Sequence, residues 1–511
     1  MTEEDTETSH CCCSKRICIG TFAIVLLLTG IAGVTVTCFI LEQKVLKFNH
    51  HYGVIFDAGS SHTDVTVYQW PSQYKDHGTA RTKELKFTNC SNHGISSFDE
   101  NPEKAGDMIT KCIETVVLKV LPHKDVRKTP VYLGATAGMR LLCARNNATC
   151  DKILDSIRQA FKKFTFRQTQ DRVQVLTGQE EASFGWVSAN LMNGALKNVL
   201  PIRNNSLLTG ALDMGGGSAE IAFLYQEDSI PQEESFNVTL YGIDYSLYSH
   251  SYLCYGFNEA RRQLLAHLVE DSNMTDSVLN PCYNRGYNAT KTAEEIWLAP
   301  CSKKPTSDMF PLNSNVTYKF VGTGQPGKCE RETQKLFNKT YCPYKNCTFN
   351  GVYQPKLVGK FLAYSGFGKT ARFINVTSED NLLTFNKAAR EFCNKSWEEI
   401  PAHNVAPNIC FQAIYTNTFL TYGLKFPENT QDISFVDKTD GAEVGWSLGF
   451  MANKTNSIPT ESPTYRISQQ EFVILLLVSS LLTIIGLAML VICIVKRKME
   501  KNMKYKYSVI Q

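Results

Sequence analysis

The sequence predicts an α/β protein of two lobes carried between two membrane-spanning helices, and three observations make that prediction. The first is a pair of segments with one grammar: an apolar run, an Asp, a cluster of Gly and Ser, then an alternating run. They are Gly53-Val54-Ile55-Phe56-Asp57-Ala58-Gly59-Ser60-Ser61-His62-Thr63 and Gly210-Ala211-Leu212-Asp213-Met214-Gly215-Gly216-Gly217-Ser218. Each reads as strand, tight turn, strand. Asp-x-Gly turns are common, so one copy would mean little; two copies 156 positions apart are much stronger evidence. The second observation is a repeated alternation of strand-like and helix-like stretches between and after these hairpins. The third is an uncharged apolar run near each end. At 511 residues the chain is also too long for a single hydrophobic core.

The ends come first. Residues 17–41 contain neither charge nor Pro, residues 472–495 are likewise uncharged, and both are long enough to cross a hydrocarbon layer of about 30 Å. A cleaved signal peptide is the plainer reading of the first, but its apolar core is long and no small-residue cleavage site stands out. Lys15 and Arg16 precede the first span, and Lys496, Arg497, Lys498, Lys501, Lys504 and Lys506 follow the second. By the positive-inside tendency, residues 1–16 and 496–511 are cytosolic and everything between the spans lies outside the plasma membrane. The net charge of +4 is largely made by the C-terminal tail and gives no argument for nucleic acid.

Composition between the spans agrees. Twelve Asn-x-Ser/Thr sequons lie there, at Asn89, Asn147, Asn204, Asn237, Asn273, Asn288, Asn315, Asn338, Asn346, Asn375, Asn394 and Asn453. So do twelve cysteines, an even number in an exported region, which argues for disulfides. Cys-x-x-Cys pairs do not recur and no His cluster accompanies them, so a zinc site is a poor reading. Cys11, Cys12, Cys13 and Cys18 border the first span on the reducing side, where palmitoylation and unmodified thiols are both open.

The elements follow in order. Residues 52–70 form the first hairpin, and the polar 71–100 stretch is loop with at most an edge strand. Residues 104–120 and 151–163 are helical. Between them Pro130–Leu133 is a strand leading through Gly134-Ala135-Thr136-Ala137-Gly138 into a helix start at Met139-Arg140. Val173–Leu176 is a strand ending at Thr177-Gly178-Gln179-Glu180-Glu181, and a helix runs on through Trp186 to Asn190. Lobe I is expected at 48–177 and 431–465, lobe II at 178–430. The 254–350 stretch has weak periodicity and reads as disulfide-held decoration. Residues 388–393 and 410–421 are helical, and Asp440–Phe450 closes the region with a turn and a helix. Trp186 and Trp446 are expected to pack in the core.

Densely anionic polyphosphate is the ligand such turns suit, because backbone N–H groups, hydroxyls and a divalent cation can share its charge. Glycine lets the backbone approach a phosphate oxygen closely. Asp57 and Asp213, at equivalent strand ends, would hold Mg²⁺ or Ca²⁺ or its water shell. Either Asp alone reads equally well as a turn cap; the pair argues for the cation. One of Glu180 and Glu181 is expected to cap the helix and the other to act as a general base with Ser218 orienting water, but the residues themselves do not choose. Arg140 is placed to neutralise phosphate, or equally to lie on a helix surface. No Walker A loop, Gly-x-Ser-x-Gly elbow or His-Glu-x-x-His motif is present. With two spans and no intramembrane charge, a pore or transporter is excluded.

These blocks, Asp57–Thr63, Gly134–Leu142, Gly178–Asn190, Ala211–Glu220 and Asp440–Phe450, resemble in their order the five apyrase blocks of the cell-surface ecto-nucleoside triphosphate diphosphohydrolases. The resemblance implies the two-lobed fold shared with actin, Hsp70 chaperones and sugar kinases (RNase H-like, as in hexokinase). It implies removal of γ- and β-phosphates from extracellular nucleotides such as ATP, ADP, UTP and UDP, with Ca²⁺ or Mg²⁺ required. By position it implies Glu181 as base with Ser218 as partner, Asp57 and Asp213 as holders of the metal's water shell, and Ser60, Ser61, His62, Ala135, Thr136, Gly216 and Gly217 as phosphate contacts. It also implies disulfides Cys90–Cys112, Cys254–Cys301, Cys282–Cys329, Cys342–Cys347 and Cys393–Cys410, leaving Cys143 and Cys150 as an extra pair. Two departures stand out. Ser218-Ala219-Glu220 replaces the usual Ser-Thr-Gln, so Glu220 would raise the pKa of Glu181 if it faces the same water. Tyr415 matches one of two base-stacking rings, but Phe367-Gly368-Lys369 offers glycine where the second is expected. A glycosylated surface receptor without activity is the alternative; it explains neither the twin turns nor Glu181. A kinase is disfavoured outside the cell. Homo-oligomers through the spans are open.

Overall fold

The computed structural model describes residues 4–508 apart from 43, 46–49, 169–171, 197–207, 228–229, 274, 298–300, 303–315, 440–441, 462–463 and 466. It separates into two compact units, His50–Pro459, and Met1–Asn49 with Thr460–Gln511.

Two sheets organise the larger unit, and they repeat one plan. In the first, β1 (His50–Ala58) and β2 (Thr63–Pro71) form the hairpin, β3 (Lys83–Ser91) edges it, and β4 (Val131–Ala135) and β5 (Val173–Val175) extend the other side in parallel, giving the order β3-β2-β1-β4-β5. In the second, β6 (Gly210–Met214) and β7 (Ser218–Leu224) are the hairpin, with β8 (Ser235–Leu240) and β9 (Ile243–Leu253) beyond β7. Across a small separate sheet, β10 (Ser277–Asn280), β11 (Asn288–Thr292) and β12 (Thr317–Gly322), the chain returns to add β13 (Phe361–Ser365) and β14 (Ile433–Phe435) in parallel. The order β8-β9-β7-β6-β13-β14 is thus the first sheet's order with one extra edge strand.

Alternation along the strands decides what each face buries. Val54, Phe56 and Ala58 of β1 join a core with Ile109 of α2 (Glu103–Cys112) and Ile153, Ile157 and Phe161 of α4 (Asn147–Lys162). Ile55 points to the other face, where Trp446 and Phe450 of α10 (Trp446–Thr455) meet Tyr68, Trp70 and Tyr132. Trp186 of α5 (Gly178–Met192) and Trp446 are both buried, as the sequence led us to expect. α3 (Ala137–Arg145) follows β4 directly, and Asn146 caps α4 by accepting from the Thr149 amide.

The 254–350 stretch departs from expectation. Its first helix, α6 (Phe257–Asp271), is core and not decoration: Ala260, Leu264, Leu265 and Leu268 lie in the large cluster beneath the second sheet. Glu259 is buried and ion-paired with Arg262, and such charges on an inward face broke the periodicity that sequence reading relies on. α7 (Gly366–Phe373), α8 (Leu382–Asn394) and α9 (Ala406–Thr418) complete that layer. The five disulfides implied by the resemblance are formed, and so is the leftover pair, Cys143–Cys150. Sequon residues Asn147, Asn237, Asn288, Asn338, Asn346, Asn375 and Asn394 are exposed, while Asn204 and Asn315 lie outside the described residues.

In the smaller unit, α1 (Glu4–Glu42) and α11 (Gln469–Ser508) contain stretches long and apolar enough to cross a membrane, Ile19–Leu41 and Gln469–Lys506. With their basic flanks they give a two-pass topology, the intervening chain outside the cell and both ends cytosolic. They pack on each other within one chain. A Cβ on Gly30 would fall 2.3 Å from Thr483 Oγ1, and one on Gly486 2.6 Å from the Leu27 amide nitrogen. Small residues at such a seam let helices approach where no hydrophobic effect drives them together.

Candidate active site

Asp57 and Asp213 each sit one residue before the end of their strand, and the turns that follow oppose one another. A Cβ on Gly216 would lie 2.6 Å from Ser60 Oγ, and one on Gly217 2.9 Å from Ala137 Cβ, so glycine is what permits the approach. Both turns border one cavity of 880 Å³. Ser60, Ser61 and His62 line it from the first turn, and Gly216, Gly217 and Ser218 from the second. Thr136, Asp57, Asp213 and Glu181 complete the set of sequence candidates that reach it.

Local structure separates Glu180 from Glu181. Glu180 closes a capping box at the start of α5, its Oε2 accepting from the Thr177 amide at 2.9 Å and the Thr177 hydroxyl at 3.0 Å. A helix turns 100° per residue, so the next carboxylate points elsewhere. Glu181 is 8% exposed and enters the cavity.

Five acidic groups, Asp57, Asp64, Asp213, Glu181 and Glu220, meet in this interior. Each turn-bordering Asp faces a second acid across its hairpin: Asp57 is opposite Asp64, and Asp213 is opposite Glu220. Each second acid has a basic neighbour. His62 Nε2 is 3.2 Å from Asp64 Oδ2, and Arg140 Nη2 is 3.6 Å from Glu220 Oε1. The Asp64 contact raises the His62 pKa above its ordinary value. Burial raises Asp57 to about 6. Burial and then the Glu220 charge push Glu181 and Asp213 well above the usual carboxylate range, with Arg140 opposing this at Glu181. Glu220, 2% exposed, is raised by burial, again against Arg140.

Three sequence candidates fall off the cavity wall. Arg140 does not line the cavity; its Nη2 lies 2.8 Å from Glu181 Oε2 and donates to Ser218 Oγ at 3.0 Å, because α3 aims it at the buried acids. Ala135 is fully buried in β4, with its carbonyl accepting from the Leu176 amide. Tyr415 is wholly buried among Phe411, Phe337 and Phe419, and its hydroxyl donates to the Tyr255 carbonyl, leaving no ring face for a base. Nor can position 368 carry a ring, since a Cβ there would lie 2.0 Å from the Val436 carbonyl oxygen.

Ser365 and Ser251 come in without a sequence signal, and Lys369 comes from the Phe367-Gly368-Lys369 segment already noted. Ser365, at the end of β13, adopts φ 54° and ψ −122° and hydrogen-bonds Asp213. Backbone strain of this kind collects at functional sites. Lys369 borders the cavity 3.4 Å from Glu443. Ser251 donates to Glu220 Oε1 at 2.7 Å, a neighbour set by the β7–β9 register.

The donors fit a divalent cation held through water. Asp57 and Asp213 are hard oxygen donors with no ion pair among the described residues, His62 and Lys369 acting on them only at longer range, and no cluster of three His, Cys or acidic side chains forms a closed cage there.

Comparison with known proteins follows this geometry. Residues 43–470 match the GDA1/CD39 (nucleoside phosphatase) family. The chain belongs to that family. It is 37% identical over 455 residues to ectonucleoside triphosphate diphosphohydrolase 8 of Gallus gallus, covering 85% of this chain and 90% of that protein. It is 36% identical over 461 residues to ectonucleoside triphosphate diphosphohydrolase 3 of Homo sapiens, covering 87% and 86%. Among solved structures, a nucleoside triphosphate hydrolase from Neospora caninum superposes with a TM-score of 0.58 at 15% identity, over 80% of this chain and 93% of that one, which shows a shared fold. Family members typically have an actin- or Hsp70-like fold. Membership makes this chain an apyrase-type hydrolase of nucleotides.

Proposed function

We propose that the protein removes the terminal phosphate of extracellular nucleoside tri- and diphosphates, ATP, ADP, UTP and UDP, down to the monophosphate, and so controls purinergic signalling. The opposed Ser60 and Gly216 turns in one cavity, with Glu181 between capping box and cavity, carry this reading. The backbone N–H groups and hydroxyls of Ser60, Ser61, His62, Thr136, Gly216 and Gly217 bind the phosphates. Ser218 orients water and Glu181 accepts its proton as the water oxygen attacks the outermost phosphorus; the bond to the bridging oxygen breaks, and inorganic phosphate leaves. Asp57 and Asp213 would hold Ca²⁺ or Mg²⁺, and that ion would supply neutralisation of charge on the phosphate oxygens. The two sheets serve as lobe I (48–177 with 431–465) and lobe II (178–430), the plan of the actin-like fold. Homo-oligomers would use faces of the spans other than the Gly30–Gly486 seam.

The test is phosphate release from ATP, ADP and AMP by intact cells expressing the chain. Release from ATP and ADP but not AMP is expected. EDTA should abolish it, and Glu181→Gln should lower kcat by about 10²- to 10⁴-fold. Release indifferent to both treatments would refute the reading.

A further inference from the structure

Resting on that reading, we propose that Glu220, acting with Ser251 through Arg140, is a positioning residue that holds Glu181 and Ser218 in their reacting arrangement.

Strand register builds this group. Glu220 stands opposite Asp213 on one side and opposite Ser251 on the other. Ser218, two residues earlier on β7, shares its face of the sheet. Ser251 Oγ donates to Glu220 Oε1 at 2.7 Å. Into this corner α3, which follows a strand of the other sheet, inserts Arg140. Its Nη2 lies 2.8 Å from Glu181 Oε2, 3.0 Å from Ser218 Oγ, 3.4 Å from Ser251 Oγ and 3.6 Å from Glu220 Oε1. One guanidinium nitrogen therefore touches the base, its partner and the anchor.

The start of α5 is fitted to the same corner. A Cβ on Gly178 would lie 2.3 Å from Ser251 Cβ and 3.1 Å from Arg140 Nη1. Glycine there lets the first turn of α5, which carries Glu181, rest directly on Ser251 and Arg140. The position of Glu181 is thus set jointly by the helix and by the cation.

Without the Glu220 oxygen the guanidinium would settle onto the Glu181 carboxylate and draw it away from water. Glu220 Oε1 supplies a second carboxyl acceptor 3.6 Å from Nη2, and Ser251 fixes which oxygen faces the cation. Arg140 then serves as a tether shared between two carboxylates. The first hairpin repeats the device in miniature, with Asp57 opposite Asp64 and His62 on Asp64.

The anchor needs an oxygen acceptor at the Oε1 position, which Gln retains and Ala does not. In full-length protein, Glu220→Ala should lower kcat for ATP by about 10- to 100-fold with KM within twofold. Glu220→Gln should return kcat to within about threefold of wild type at its own pH optimum, and Ser251→Ala should fall between. Glu220→Ala combined with Arg140→Gln should be no slower than Arg140→Gln alone, because both act through one contact. Surface amount and thermal midpoint are measured for every variant. Should Glu220→Ala misfold, the comparison of Ser251→Ala and Glu220→Gln decides by itself. Unchanged kcat in folded Glu220→Ala and Ser251→Ala, a change in KM alone, or additive losses in the double variant would overturn the proposal. Wild-type release and the Glu181→Gln loss, read in the same assay, separate this failure from failure of the activity itself.

Discussion

Glu220 is the residue where this chain says most about its own chemistry. Its charge lies opposite Asp213 and, after burial, contributes most to raising Glu181. A base works only when deprotonated, so activity should fall as pH drops through the raised Glu181 pKa. Removing the neighbouring charge lowers that pKa. The acidic limb of the pH–rate profile of Glu220→Gln should therefore move to lower pH; a limb that stays in place would show that the two carboxylates do not communicate. At the same scale, sequence reading could find Asp57, Asp213 and the glycines because their turn chemistry is local. It could not choose Glu181 over Glu180, since either can cap a helix until the Thr177 box is seen. It could not place Arg140 and Tyr415, because a side chain's direction depends on what packs around its helix.

At the scale of elements, tight seams fix the arrangement. α10 crosses α5 where a Cβ on Gly449 would meet the Phe184 carbonyl oxygen at 2.1 Å and Val187 Cβ at 2.8 Å, and the Gly449 amide donates to Ser188 Oγ at 2.8 Å. Gly449→Ala must push these helices apart. Overpacking of this kind costs about 1–3 kcal/mol, which thermal melting of the full-length variant should register; an unchanged midpoint would mean the crossing yields freely. Hairpins and amphipathic helices such as α4 were legible because their periods are short-range. α6 was not, because its buried Glu259 interrupts the apolar face and finds its partner Arg262 only once folded.

At the scale of the whole molecule, the acidic interior links stability to pH and to cations. Asp57 is raised by burial to about 6 from an ordinary 3.8, and Glu181, Asp213 and Glu220 are raised too. Groups whose folded pKa exceeds the unfolded one favour the folded state while protonated. That contribution is full below the unfolded value and is lost as pH rises through the folded one, for Asp57 between 3.8 and about 6. At neutral pH the ionised acids repel each other, and a divalent cation should relieve this. Detergent-solubilised full-length protein should melt higher in Ca²⁺ or Mg²⁺ than in EDTA at neutral pH, by about 2.7 kcal/mol at a hundredfold excess over Kd. The gap should narrow in mild acid. Identical midpoints at both pH values would argue against a cation between Asp57 and Asp213.

The sequence by itself determined the two-pass topology, the presence of disulfides, and the doubled hairpin with its glycine turns, since each is written in runs, counts or spacings along the chain; the cysteine pairing came from the family resemblance. Tertiary structure alone decided that the two turns face each other, that Arg140 joins Glu181 to Ser218, and that Tyr415 is core. Those outcomes turn on which strands lie side by side and which side chains exclude one another, contacts between residues far apart that local pattern does not encode.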